Sequence, residues 1–423
     1  VDAEGALAAA RRREAVGRGE PRGPLHGVPL AFKDLCFIRG LPTSCGTRTA
    51  DYFTAEQDCT AVARLIGAGA VTLGKLNMTE LAMGALGDNP HHGHARNPWN
   101  PERCTGGSSS GSGVAVAAGL ALGAIGTDTG GSIRLPAAAC GITGLKPTYG
   151  RVSRAGGMAL SWSNDHLGPM ARTARDCALM LQAMAGADPL DATASARSVP
   201  DYLADLDAPV AGLRVGVPEN FFFQGIDAEM EAGVRAALTT LGSLGVRVTE
   251  VRLPDPQVTN DVTSIISRSE SAALHAGLLR EKPQELAAFT RARLELGLRV
   301  PAYDYLQALR LRARLARAFS RDIWAEVDVL AAPVIPEPAP PLSAALEGPL
   351  EEIIVRQGRF SRLTRPFNGL GLPALSLPCG FSRAGLPLAF QLVGRPFDEA
   401  TVLRLGHAYQ QATDWHTRRP ALS

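Results

Sequence analysis

Long apolar runs, paired cysteines and an excess of one charge are all missing from this 423-residue sequence. No apolar stretch reaches the roughly 18 residues that a membrane-spanning helix needs, so no membrane partner is expected. Basic and acidic residues nearly cancel, 43 against 41, for a formal net charge of +2. The arginines are scattered rather than massed, so no nucleic-acid partner is expected. The seven cysteines (36, 45, 59, 104, 140, 177 and 379) form no CxxC and no paired spacing. An odd, dispersed set fits reduced thiols and a cytoplasmic location better than a disulfide framework. The chain opens at Val1 rather than Met. A truncated N-terminal part is therefore expected, and a lost targeting segment stays open.

Apolar residues make up 45% of the chain, enough for a sizeable core. Strand-like and helix-like segments alternate along it. Strands are expected within 27–34, 71–74, 123–126, 213–217, 246–253, 327–332, 374–379 and 386–393. Helices are expected at 60–69, 112–122, 172–185, 227–244, 262–280, 303–324 and 398–412. No short repeat is detectable. This rhythm predicts an α/β fold, a central mixed β-sheet flanked by helices on both faces.

The chemistry concentrates in residues 105–134. Thr105-Gly106-Gly107-Ser108-Ser109-Ser110-Gly111-Ser112-Gly113 and Gly126-Thr127-Asp128-Thr129-Gly130-Gly131-Ser132-Ile133-Arg134 are two glycine loops carrying hydroxyls. Glycines let a backbone turn sharply and aim several N–H groups at one point, a cradle for phosphate or for an oxyanion. A nucleotide site is one reading, because Gly69 to Lys75 spells G-x-x-x-x-G-K. The motif then needs Ser or Thr, and Leu76 stands there. An α/β-hydrolase is a second, with Ser109 in G-x-S-x-G, yet residues 97–103 read as a loop where that elbow needs a strand.

The third reading comes from resemblance. The two loops together look like the central block of the amidase signature family. Leu73-Gly74-Lys75-Leu76-Asn77-Met78, Leu25-His26-Gly27-Val28-Pro29 with Lys33-Asp34, Gly144-Leu145-Lys146-Pro147-Thr148, Gly371 to Pro378 and Gln391-Leu392-Val393-Gly394 resemble further landmarks of it. Ser110 and Gly113 depart from the commoner pattern, away from the catalytic positions. The match runs over nearly the whole chain and implies one amidase domain over 1–423, with a signature core at about 60–190. It implies Ser132 as the nucleophile, Ser108 as a bridging serine after a cis peptide bond, and Lys75 as the base. It also implies an acyl-enzyme on Ser132 and no cofactor or metal.

That assignment makes chemical sense. A serine hydroxyl attacks an amide only if something takes its proton, and a lysine can do so only when neutral. Burial among Val71, Leu73, Leu76 and Met78 is expected to neutralise Lys75. The backbone N–H groups of Thr129, Gly130, Gly131 and Ser132 are expected to hold the oxyanion. Asp128 and Arg134 are read as braces of the loop, Lys146 as structural, and Cys104 and Cys140 as packed thiols. His91, His92 and His94 read as a loop cluster rather than a metal site.

The expected function is hydrolysis of a carboxamide C–N bond in a small-molecule amide, with assembly into a homodimer left open. Met83, Ser109, Trp162 and Phe367 are the candidate substrate-binding residues. Two alternatives remain: the glutaminase (A) subunit of a tRNA-dependent amidotransferase, or a non-catalytic binding subunit of the same fold. The first is disfavoured because residues 360–368 carry no acidic side chain where a glutamine-binding segment usually has one.

Overall fold

The computed structural model describes residues 2–17, 23–49 and 53–422. Among the described residues there are twelve strands: β1 (Pro29–Lys33), β2 (Pro42–Thr43), β3 (Phe53–Thr54), β4 (Val71–Leu76), β5 (Gly123–Thr127), β6 (Thr143–Lys146), β7 (Leu167–Ala171), β8 (Arg214–Pro218), β9 (Arg247–Val251), β10 (Val329–Pro333), β11 (Ala374–Phe381) and β12 (Pro387–Gly394). β2 and β3 pair only with each other. The other ten form one mixed sheet in the order β4-β1-β5-β7-β6-β11-β12-β10-β8-β9. β1 is parallel to both of its neighbours, whereas β6, β7, β11 and β12 pair antiparallel.

Helices cover both faces, as expected, and the alternation of side chains along a strand shows how. On one face Gly144 of β6 meets the helix Arg134–Cys140 so closely that a Cβ there would lie 2.8 Å from that of Ala137. Ser376 of β11 pairs with Gly144, so its neighbours Leu375 and Leu377 point the other way. There they pack against Gly406 of the helix Glu399–Gln411. Strands buried on both sides read as continuous apolar runs, which explains why these segments lack a polar alternation.

The predicted strands and most helices recur within a few residues. The helices Arg134–Cys140, Ala288–Leu298, Ser343–Leu346, Leu350–Phe360 and Arg365–Gly369, and the strands β2, β3, β6 and β7, went unread. β7 is Leu-Gly-Pro-Met-Ala. Glycine and proline mask its strand character, and only its pairing with β5 and β6 makes it one. Among the described residues, no helix is long and apolar enough to cross a membrane.

A layer of helices, Pro256–Leu274, Ala288–Leu298 and Ala302–Asp322, packs together beside the serine loops. Gly297 permits this approach, since a Cβ there would sit 2.3 Å from the Arg268 carbonyl oxygen.

Candidate active site

β1 and β5 run parallel and side by side, so their C-terminal ends open on the same edge of the sheet. That edge is where loops after parallel strands gather functional groups. β1 ends in Lys33 and β5 ends in Thr127. The Lys33 Nζ lies 2.7 Å from Ser108 Oγ and 2.7 Å from Thr127 Oγ1. Lys33 is 0% exposed. Burial drives its pKa from 10.5 down to about 7, against a partial opposing pull from Cys36, Asp128 and Asp165.

Ser108 follows the cis peptide Gly107–Ser108, as the resemblance implied. The second glycine loop comes alongside through the Ser109 N–H, which donates to the Ser132 carbonyl at 3.3 Å. Ser132 lines a narrow cavity of about 60 Å³.

Lys75 is elsewhere, which overturns its expected place in the relay. It ion-pairs with Asp34 at 2.8 Å and reaches Thr43 Oγ1 and the Pro42 carbonyl. Its side chain is 12% exposed and borders a different, larger cavity. The reason is topological. β4 is the outermost strand of the sheet, so a side chain on it can turn to the rim, whereas β1 is enclosed between β4 and β5. In the sequence Lys33 stands out only as a landmark beside Asp34. The available signal was its position, ending the apolar run Pro29-Leu30-Ala31-Phe32. It also lies before residue 60, so the chemistry-bearing region starts earlier than the expected core.

The second glycine loop is braced from below. Asp128, fully buried, accepts from Arg134 Nε at 3.0 Å and Nη2 at 3.1 Å, and from Asn368 Nδ2 at 2.8 Å. Burial alone would push its carboxyl up, but Arg134, Lys146 and Asn368 hold it well below the usual carboxylate range. Arg134 reaches on to Gln391 and the Thr364 carbonyl. Asp128 also takes the Gly131 N–H at 2.7 Å. That removes Gly131 from the expected set of oxyanion donors. The N–H groups of Thr129, Gly130 and Ser132 meet no acceptor among the described residues. Gly131 is required at φ +134°, where a Cβ would lie 2.3 Å from Thr364 Oγ1.

Of the expected pocket residues, Met83 lines the Ser132 cavity. Trp162 lines a neighbouring chamber of about 230 Å³ that shares Thr129 and Leu160 with it. Ser109 and Phe367 are corrections. The Ser109 hydroxyl is spent on the Thr127 backbone, donating to its carbonyl at 3.3 Å and accepting its N–H at 3.2 Å. Phe367 is fully buried in the core and stacks on Phe222 at 5.2 Å. Its place in a C-terminal loop sequence concealed a short helix, Arg365–Gly369, that turns the ring inward.

The remaining candidates are committed to structural contacts. His91 bonds Glu80 at 2.6 Å, His92 the Thr47 carbonyl at 2.7 Å, and His94 the Asn89 N–H at 3.1 Å. Lys146 donates to the carbonyls of Pro147 and Leu372. Cys104 and Cys140 are buried thiols bonded to the carbonyls of Pro341 and Thr105. Sequence reasoning missed Lys33, Thr127 and two arginines of the Ser132 cavity, Arg293 and Arg365.

Comparison with known proteins agrees with this geometry. A family model described as Amidase matches residues 1–403. A curated relative, the A subunit of the glutamyl-tRNA(Gln) amidotransferase of Roseiflexus sp. (strain RS-1), is 45% identical over 100% of this chain and 90% of its own. The native peptide amidase of Stenotrophomonas maltophilia superposes with a TM-score of 0.85 at 33% identity, covering 99% of this chain and 89% of that one. A structure from a vestigial protein complex, described as revealing the evolutionary origins of an s-triazine catabolic enzyme, gives a TM-score of 0.89 at 36% identity, with coverage of 99% and 90%. A fold, an ordered set of motifs and a buried lysine–serine contact thus lead to one assignment: the chain belongs to the amidase family and is an enzyme acting on carbon–nitrogen bonds of amides.

Proposed function

We propose that the chain hydrolyses a small-molecule amide through an acyl-enzyme on Ser132, with Ser108 as the bridging hydroxyl and Lys33 as the base. The observation that carries this reading is the 2.7 Å contact between a fully buried Lys33 and Ser108. With a pKa of about 7, Lys33 is substantially neutral at neutral pH. It takes the Ser108 proton as Ser108 takes that of Ser132, and Ser132 Oγ bonds to the carbonyl carbon. The oxyanion is received by the N–H groups of Thr129, Gly130 and Ser132. As the C–N bond breaks, the proton returns through Ser108 to the departing nitrogen. Water then cleaves the ester by the same relay in reverse. Thr127 fixes the amine from its other side.

Both halves of the chain contribute to the cavity, Ser132 from the first and Arg293, Ser361 and Arg365 from the second. This supports one functional domain over the whole length. The alternative role of a glutaminase within a larger amidotransferase has the name of the Roseiflexus relative behind it. Ser132→Ala is expected to abolish amide hydrolysis and labelling by a fluorophosphonate probe with the fold intact. A labelled peptide mapping to Ser109 instead would sink the assignment.

A further inference from the structure

Among the described residues, the cavity in front of Ser132 is lined by two arginines, Arg293 and Arg365, and by no aspartate or glutamate. Arg293 reaches it from the helix Ala288–Leu298, beside Ser271 of the helix Pro256–Leu274. It has no hydrogen bond and no ion pair to any described side chain, only a ring contact with Phe289 at 5.7 Å. Arg365 lies over the nucleophile loop, its Cγ and Nε 3.7 Å from where a Gly130 Cβ would stand. It donates to Asn260 Oδ1 at 2.9 Å, to the Gly358 carbonyl at 3.5 Å and to the Ser361 hydroxyl, all uncharged. Burial, then repulsion from Arg365 and Arg268, brings Arg293 to about 9; burial and Arg268, against a weaker opposing pull from Asp261, bring Arg365 to about 10.

The acidic groups nearby are already engaged. Asp165 accepts from the Thr129 hydroxyl at 2.6 Å and from the N–H groups of Leu160 and Ser161. Glu270 is taken by Ser161, Ser163 and Tyr305. Asp261 is held by Gln257 and Asn260. Two like charges driven into one small cavity are unfavourable unless an anion joins them. Arginine presents a planar fork that matches a carboxylate. A substrate ammonium, by contrast, would meet two cations and no acidic partner.

We propose that Arg293 and Arg365 form a carboxylate-binding subsite that selects amides bearing an anionic group and no ammonium. The proposal rests on Ser132 being the nucleophile, because the subsite sets which acyl chain reaches it. It also sets this chain apart from a glutaminase, whose substrate carries both charges.

Glutaramate, L-glutamine and pentanamide form a matched test. L-Glutamine adds an α-ammonium to glutaramate, and pentanamide replaces its carboxylate with a methyl group. Calorimetric titration of Ser132→Ala reads binding without turnover, with malonamate and succinamate included to vary the reach. At least one of the three anionic monoamides is expected to bind roughly 100-fold more tightly than pentanamide and L-glutamine. Adding Arg293→Met is expected to remove that preference while the thermal unfolding midpoint stays in place, since Arg293 has no hydrogen bond or ion pair to lose and the methionine keeps the apolar contact with Phe289. Pentanamide or L-glutamine binding as well as the best anionic monoamide overturns the proposal. Fluorophosphonate labelling of the otherwise unaltered chain tests the nucleophile separately. Selective binding without labelling of Ser132 would sink the catalytic reading and leave the subsite standing.

Discussion

Lys33 and Lys75 stand on adjacent parallel strands, almost level with each other, and have opposite fates. β1 and β4 pair with Lys33 opposite Leu76, and Lys75 opposite Phe32. Lys33 is enclosed, hydrogen-bonds two hydroxyls, and is driven to about 7. Lys75 reaches a carboxylate, Asp34, at 2.8 Å. A lysine becomes a base where burial comes without a counter-ion, and a structural cation where a counter-ion is supplied. The apolar residues beside a lysine in sequence do not distinguish these cases. The partner across the strand and the depth of the strand in the sheet do.

The sharpest way to break this comparison is to truncate each lysine. Lys33→Met should lower kcat/KM by on the order of 10³-fold or more, because the relay loses its base. Lys75→Met should cost less than about tenfold, through looser packing of β1 on β4. Equal losses, measured on one amide substrate, would reverse the assignment. A smaller effect concerns pH. The kcat/KM of the unaltered chain should rise as Lys33 loses its proton, with a midpoint at about 7, and level off above it. Lys75→Met should keep that limb in place. A midpoint that moves with Lys75 would show the base to be there.

The smallest effect is on stability. The folded chain gives up the Lys33 proton at about 7, and the unfolded chain holds it to about 10.5. Between these values the unfolded state binds more protons, so this group makes stability rise with pH; below about 7 its contribution is flat. The unfolding free energy of the unaltered chain minus that of Lys33→Met should therefore grow across this window, by up to about 1.4 kcal/mol per pH unit. Urea titrations at three alkaline pH values would measure it, and a constant difference would contradict the buried neutral amine.

Much of the site was legible because its parts are close along the chain. Ser108, Ser132 and the glycines between them lie within one stretch, and their local chemistry points to a cradle for phosphate or for an oxyanion before any fold is known. One donor of that cradle was misread. Asp128 sits three residues before Gly131 and captures its N–H, a contact decided by the turn and by Arg134 holding the carboxylate in place. Phe367 looked like a pocket wall because aromatic residues in loops often are. Its stacking on Phe222, 145 positions earlier, is a long-range contact with no local trace.

Sequence alone determined the alternating α/β order and the two hydroxyl-bearing glycine loops with the serines they present, since backbone freedom and nearest-neighbour chemistry are local properties. The tertiary structure decided which lysine faces the serines and which arginines share a cavity with them. Charge in a protein depends on what surrounds a group in three dimensions, and strand order and helix packing bring those surroundings from far along the chain.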